Sequence, residues 1–186
     1  MQKLGKQTIK FDNPPTILDC ASIVGPKEAQ GPLAEYFDQT LEDEFWGEKT
    51  WEKAESKIIK ETVNTVISKS GVPSDQIDLM IAGDLLNQCI SSSFGLREAN
   101  IPFLGVFGAC STFVESMCIG SICVESFAKN VLCATSSHFC SAEKQFRFPL
   151  ELGNQKPMTA QWTVTGAGSV LIAPNKEGPK VKYVTV

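Results

Sequence analysis

A chain of 186 residues, 42% hydrophobic and 20% charged, has the make-up of a folded globular domain, which excludes wholesale disorder. No run of about 18 apolar residues lacks a charge, which excludes a membrane-spanning helix. The net charge of −4 gives no sign of the basic face that nucleic-acid binders carry. Seven cysteines are an odd number, without a CxxC pair or zinc-like spacing. Cys118, Cys123 and Cys133 fall inside apolar segments, so they read as buried free thiols in a reducing compartment. The polar opening from Met1 to Lys10 is not a secretory signal.

In chain order, Gln7 to Phe11 alternates weakly and reads as an edge strand, and Ile17 to Val24 as an inner one. Gly25-Pro26 and Gly31-Pro32 open a long loop to about Glu48, in which Tyr36, Phe37, Phe45 and Trp46 form an aromatic arm or a simple surface anchor. A helix is expected from Trp51 to Lys69, N-capped by Thr50, with Trp51, Ala54, Ile58, Thr62 or Val63, and Val66 on one face and Gly71 at its end. Asp78 to Asp84 is a buried strand, Leu86 to Ala99 an amphipathic helix, and Pro102 to Phe107 a further buried strand. Ser111 to Lys129 is a helix apolar on nearly every face, expected in the middle of the structure. Val131 to Ser136 and Trp162 to Ala173 complete the strands, the latter paired with Val181 to Val186. Alternating strands and helices specify an α/β fold, with a mainly parallel sheet and crossover helices.

Ligands in such sheets bind beyond the carboxyl ends of the strands. Cys110 stands at one of them, on a small-residue turn leading into the central helix, where free N–H groups and the helix dipole favour a thiolate. It reads either as a functional thiol or as a small packing residue. Ser136, Ser137 and His138, the chain's single histidine, follow another strand end. The histidine is an acid–base group, an orienter of Cys110, a ligand donor, or a structural residue. Asp84 accepts hydrogen bonds, meets a cation, or caps the helix after it. Arg147 and Lys156 lie in a polar stretch, either as grips for carboxylates or as solvated charges. Gly166-Ala167-Gly168 is too short for a dinucleotide fingerprint and marks close backbone packing or a bulge.

The strings GPKEAQGPL, AGDLLNQ, IPFLGVFGACST, ATSSHFCSAEKQFRFP and QKPMTAQWTVTGAGSVL carry a resemblance to the stage V sporulation protein AD family of endospore formers. That family is similar to thiolases and ketoacyl synthases: two related halves, each a five-stranded mixed sheet with helices, packed together. The resemblance implies that this chain is the N-terminal thiolase-like half, with a buried central helix, and that the second half lies outside it. It also implies binding in place of catalysis. The ligand is dipicolinic acid (pyridine-2,6-dicarboxylate), alone or as its calcium chelate, taken up during sporulation and released in germination. No cofactor and no metal site of the protein's own are implied.

Cys110 falls at the thiolase nucleophile position, while the acid–base partners of a thiolase belong to the missing half. That leaves acyl transfer through a Cys110 thioester as the alternative reading. The ligand set expected from this resemblance is Asp84, Asn87, Cys110, Ser136, Ser137, His138, Arg147 and Lys156. A flat aromatic dianion suits a helix N-terminus, hydroxyls and a few basic donors. Asp84 and Asn87 face the pyridine edge or an accompanying Ca²⁺; one aspartate is too few for an all-protein calcium site. The implied partners are membrane proteins of the same sporulation operon, at the inner spore membrane, and a second copy of the chain or the missing half. Nucleic acid is not among them.

Overall fold

The computed structural model describes residues 1–86, 89–146, 159 and 161–186. In chain order the elements are β1 (Gln2–Leu4), β2 (Thr8–Lys10), β3 (Thr16–Val24), β4 (Gln39–Thr40), α1 (Trp51–Ser70), β5 (Leu79–Asp84), α2 (Ile90–Leu96), β6 (Phe103–Gly105), α3 (Thr112–Ser126), β7 (Val131–Ser137), α4 (Phe139–Phe146), β8 (Gly166–Ala173) and β9 (Tyr183–Thr185).

Helix α1 forms as its sequence dictates. Thr50 is extended and accepts the Lys53 N–H on Oγ1 at 3.3 Å, and Gly71 ends the helix at φ +66°, a conformation that glycine adopts without a Cβ clash. Ile58 and Ile59 are fully buried with Val63 and Val66 against one face of the main sheet. Each such side chain contributes roughly 1.5–3 kcal/mol of burial.

The main sheet has six strands in the order β4-β3-β8-β7-β5-β6, of which only β8 runs against the others. The sixth strand beyond the expected five is the two-residue β4 at one edge, drawn from the long loop. The alternation of β7 divides the core. Leu132 and Ala134 face α1, while Val131 and Cys133 face α3. The expected class, a mixed and mainly parallel α/β sheet, stands.

Several elements differ from expectation for identifiable reasons. Val181–Val186 does not join β8. Its β9 pairs with β2, and β1-β2-β9 form a separate antiparallel sheet with β2 at its centre, so the Gln7–Phe11 strand is no edge of the main sheet. Strand β8 begins at Gly166, where a Cβ would lie 2.7 Å from the Ile23 carbonyl oxygen; the bulge sits at Ile17/Asp19 of β3. Helix α2 is short, because Cys89 before it takes a left-handed φ of 51°. Strand β6 is exposed along its whole length, being the free edge of the sheet.

Helix α3 is half-buried. Its sheet side repeats every fourth residue as Thr112, Ser116, Gly120 and Val124, small residues that let the backbone come close. A Cβ on Gly120 would lie 2.8 Å from the Cys133 Sγ. Of the large apolar residues, Phe113, Met117 and Ile119 are half-buried against the core, and Val114 is turned outward, 61% exposed. Of the thiols expected to be buried, Cys133 is, and Cys118 and Cys123 are half-buried; all seven are free.

Candidate functional site

Strands β5 and β7 end side by side, with Asp84 paired to Ser136. The chain rises from β6 through Val106, held by its N–H to the Ala82 carbonyl at 3.0 Å, into a 3-10 turn at Ala109–Ser111 and then α3. Ala109 adopts a left-handed φ of 50°, a conformation costly for a residue with a Cβ. Three bonds hold the turn. Ser111 Oγ donates to the Gly108 carbonyl at 2.7 Å, Thr112 Oγ1 donates to the Ala109 carbonyl at 2.8 Å, and the Gly108 N–H donates to Thr112 Oγ1 at 3.1 Å. The outcome is an exposed Cys110 at the start of a 15-residue helix that Ser111 does not cap with its side chain.

Cys110 borders a cavity of about 610 Å³. Thr135, Ser136 and Ser137 of β7, Ser22 and Val24 of β3, and Gly168 of β8 form its floor, and Phe37, Phe113 and Trp162 form apolar walls. No atom comes within 4 Å of where a Gly168 Cβ would sit, so the floor is bare backbone there. Ser137 donates its hydroxyl to the Val164 carbonyl at 2.6 Å. Trp162 packs on Phe139 with centroids 4.7 Å apart, and the Lys27 ammonium lies 3.6 Å over the Trp162 ring. That cation–π contact brings positive charge to a wall whose described residues are uncharged.

Cys110, Ser136 and Ser137 thus share one cavity. The Ser136 hydroxyl itself points to the opposite face of the sheet, donating to Glu55 Oε1 at 3.1 Å. There it joins a fully buried polar cluster. Ser141 Oγ donates to Glu55 Oε2 at 2.9 Å. Asp84 accepts the Ser92 N–H at 2.7 Å, the Ser92 hydroxyl at 2.6 Å and the Leu86 N–H at 2.9 Å. Burial pushes the Glu55 carboxyl up to about 7, and the neighbouring Asp84 charge adds to it. Burial also raises Asp84, against the hydrogen bonds from Ser92.

Asp84 is therefore occupied in tying β5 to α2, and it does not line the cavity; the helix it was expected to cap begins only at Ile90. His138 is fully buried and does not line the cavity either. Its Nδ1 accepts the Cys140 N–H at 3.1 Å, so the proton sits on Nε2, which donates to the Glu44 carbonyl at 2.8 Å. Both ring nitrogens serve the fold, fastening α4 to the long loop. Asn87, Arg147 and Lys156 lie outside the described residues.

Glu55, Lys27, Phe113, Trp162 and the bare backbone at Gly168 are not assigned to a site by the sequence reading, whereas Thr135 belongs to the strand end that carries Ser136 and Ser137. Glu55 did leave a signal: with Ile59, Thr62 and Val66 it falls on the buried stripe of α1, where a carboxylate needs a partner. Lys27 left none, because only tertiary structure carries the loop to Trp162.

This sheet, with a central helix that begins at an exposed cysteine, defines the thiolase-like class. The chain aligns with 3-oxoacyl-[acyl-carrier-protein] synthase III of Aquifex aeolicus at a TM-score of 0.58 and 16% identity, covering 88% of this chain and 55% of that one. A Xanthomonas campestris OleA variant aligns at a TM-score of 0.59 and 13% identity, covering 89% and 59%. At such identities the likeness concerns the fold. Within that class, the chain belongs to the stage V sporulation protein AD (SpoVAD) family, whose profile matches residues 5–186. It is 43% identical over 187 residues to stage V sporulation protein AD of Bacillus subtilis, covering 100% of this chain and 55% of that protein. The chain thus spans about half the length of the curated relative it matches.

Proposed function

We propose that this chain is the N-terminal, cavity-bearing half of a non-catalytic protein that binds dipicolinic acid for its uptake into, or release from, bacterial spores. The cavity beside Cys110 carries the reading. It offers apolar walls to a flat ring and the uncapped start of α3 and the Thr135 hydroxyl to a carboxylate, with the Lys27 cation stacked on the Trp162 ring of one wall. Arg147 and Lys156 remain part of the proposed set as balancing charges. Calcium enters with the ligand, since no carboxylate borders the cavity among the described residues. The proposed location is the inner spore membrane, beside the membrane proteins of the same operon. Among the described residues no helix is long and apolar enough to cross a membrane.

Calorimetric titration of dipicolinate, with and without Ca²⁺, tests the reading. Saturable binding is expected in the wild-type chain, weakened several-fold in Cys110→Ala. It should be lost in Gly168→Leu, whose Cβ has no atom within 4 Å and whose side chain projects from the cavity floor. Unchanged binding in Gly168→Leu removes this cavity from the proposal. Absence of binding both here and in a full-length relative removes the ligand.

Acyl transfer through a Cys110 thioester is the second reading, favoured by the exposed thiol on its strained turn. Against it, the chain's one histidine is turned into the fold and cannot serve Cys110 as a base. Intact-mass analysis after incubation with an acyl-CoA decides the matter; no adduct on Cys110 is expected.

The outward face of α3 and the β6 edge also call for a covering partner, either a second copy or the missing half. Val114 and Phe127 are 61% and 74% exposed, and Phe103, Leu104 and Phe107 are each above 40%. Light scattering of this chain alone is therefore expected to give a mass above that of one chain; a monodisperse monomer would contradict it.

A further inference from the structure

Glu55 of α1 and Asp84 of β5 are two carboxylates with no exposed surface, and neither takes part in an ion pair among the described residues. The other titratable groups buried to that degree are His138 and Cys133. His138 spends both ring nitrogens on Cys140 and Glu44, and Cys133 lies on the α3 side of the sheet. Cys89, half-buried ahead of α2, stands near Asp84 and brings no positive charge. Among the described residues no cationic side chain offsets the pair. Charge of one sign is costly to bury unless something neutralises it.

Hydroxyls surround the Glu55 carboxyl. Ser136 Oγ reaches its Oε1 at 3.1 Å and Ser141 Oγ its Oε2 at 2.9 Å, and lone pairs remain free on these hydroxyls and on both carboxylate oxygens. Ser91, at the start of α2, completes the group. It is fully buried, with its N–H directed to Asp84 and its hydroxyl to Glu55. That hydroxyl lies near enough to ease the ionisation of Glu55, yet outside hydrogen-bond geometry with any described residue. An unpartnered hydroxyl this deep, aimed at a buried carboxylate pair, calls for a ligand.

We propose that Glu55, Asp84, Ser91, Ser136 and Ser141 hold a buried monovalent cation, sodium or potassium. The donors are all oxygens, which suits a hard cation. A divalent ion fits worse. Calcium takes about six to eight oxygen ligands, and magnesium keeps several of its waters, for which so deep a cluster has no place. A water molecule would satisfy Ser91 and leave the charge unbalanced. The competitor is a proton: burial raises Glu55 to about 7, so a proton meets the need below that pH and the cation above it. The five ligands come from α1, β5, α2, β7 and α4, so one ion ties five elements together at a single point. This inference does not depend on the dipicolinate reading.

Thermal unfolding at pH 8 tests it, with sodium or potassium chloride set against tetramethylammonium chloride at equal ionic strength. One of the small ions is expected to raise the midpoint by at least about 3 °C over tetramethylammonium, which is too large to enter the cluster. Glu55→Gln should lose that difference, and its advantage over the wild type should be greatest in tetramethylammonium. Ser91→Ala keeps both carboxylates and should need about fivefold more of the ion for half of the shift. Ser121→Ala removes another buried, unpartnered hydroxyl, on α3, and should respond as the wild type does. At pH 5 the proton holds Glu55, and the shift should largely vanish. Equal midpoints in all three salts at pH 8 would overturn the proposal and leave a carboxyl pair served by a proton or a water. So would an undiminished response in Glu55→Gln or in Ser91→Ala.

Discussion

Replacing Glu55 by glutamine is expected to stabilise the protein by about 3 kcal/mol at pH 8 and by less than about 1 kcal/mol at pH 5. Glu55 is raised from 4.5 in an exposed chain to about 7 in the folded one, through burial first and the Asp84 charge second. The folded state thus holds this proton more tightly than the unfolded state. Between about pH 4.5 and 7 folding takes up a proton, so stability falls as pH rises through that window and levels off above it. Glutamine has the same shape and no charge to bury, and the Ser136 and Ser141 hydroxyls can rotate to meet its amide. Urea denaturation at the two pH values reads the difference directly. A gain of equal size at both would mean that packing, and not ionisation, sets the effect.

Alanine at Gly83 is expected to cost more than about 3 kcal/mol, beyond ordinary overpacking. A Cβ there would lie 2.0 Å from the Val106 carbonyl oxygen and 2.6 Å from the Thr112 methyl. The carbonyl is backbone, and it precedes the turn that presents Cys110. Relief must come from moving β6, the Cys110 turn or the start of α3. The same substitution at Gly168, two strands away, meets nothing within 4 Å and should be nearly neutral. Denaturant midpoints of the two variants make a matched pair. A small effect at Gly83 would show that the Cys110 turn shifts freely, which would weaken the view of it as a preformed site.

Much of this protein could be read before any coordinates. Helix α1 follows from Thr50, Gly71 and an apolar stripe, all local signals, and the structure reproduces it within a residue. The order of strands and helices and the turn at Cys110 are likewise local, because apolar runs, glycines and a small-residue turn act over a few residues. Ser137 reaches the Cys110 cavity because β5 and β7 are parallel neighbours and their carboxyl ends coincide.

The rest depends on contacts between residues far apart in sequence. His138 reads as chemistry by its place after a strand, yet the Glu44 carbonyl, 94 positions away, takes its ring into the fold. Ser136 and Ser137 are neighbours in sequence with opposite fates, since alternation in β7 sends one hydroxyl to Glu55 and the other side chain towards the cavity.

The small β1-β2-β9 sheet is the clearest case. Its strands come from the two ends of the sequence, and no local signal pairs them. Pairing of β2 with β9 places lysines from both ends around one ribbon. Local sequence sets each element and its buried stripe, because those depend on backbone geometry and short-range sterics. Which charges become neighbours, and which carboxylate loses its water, is set by long-range packing alone.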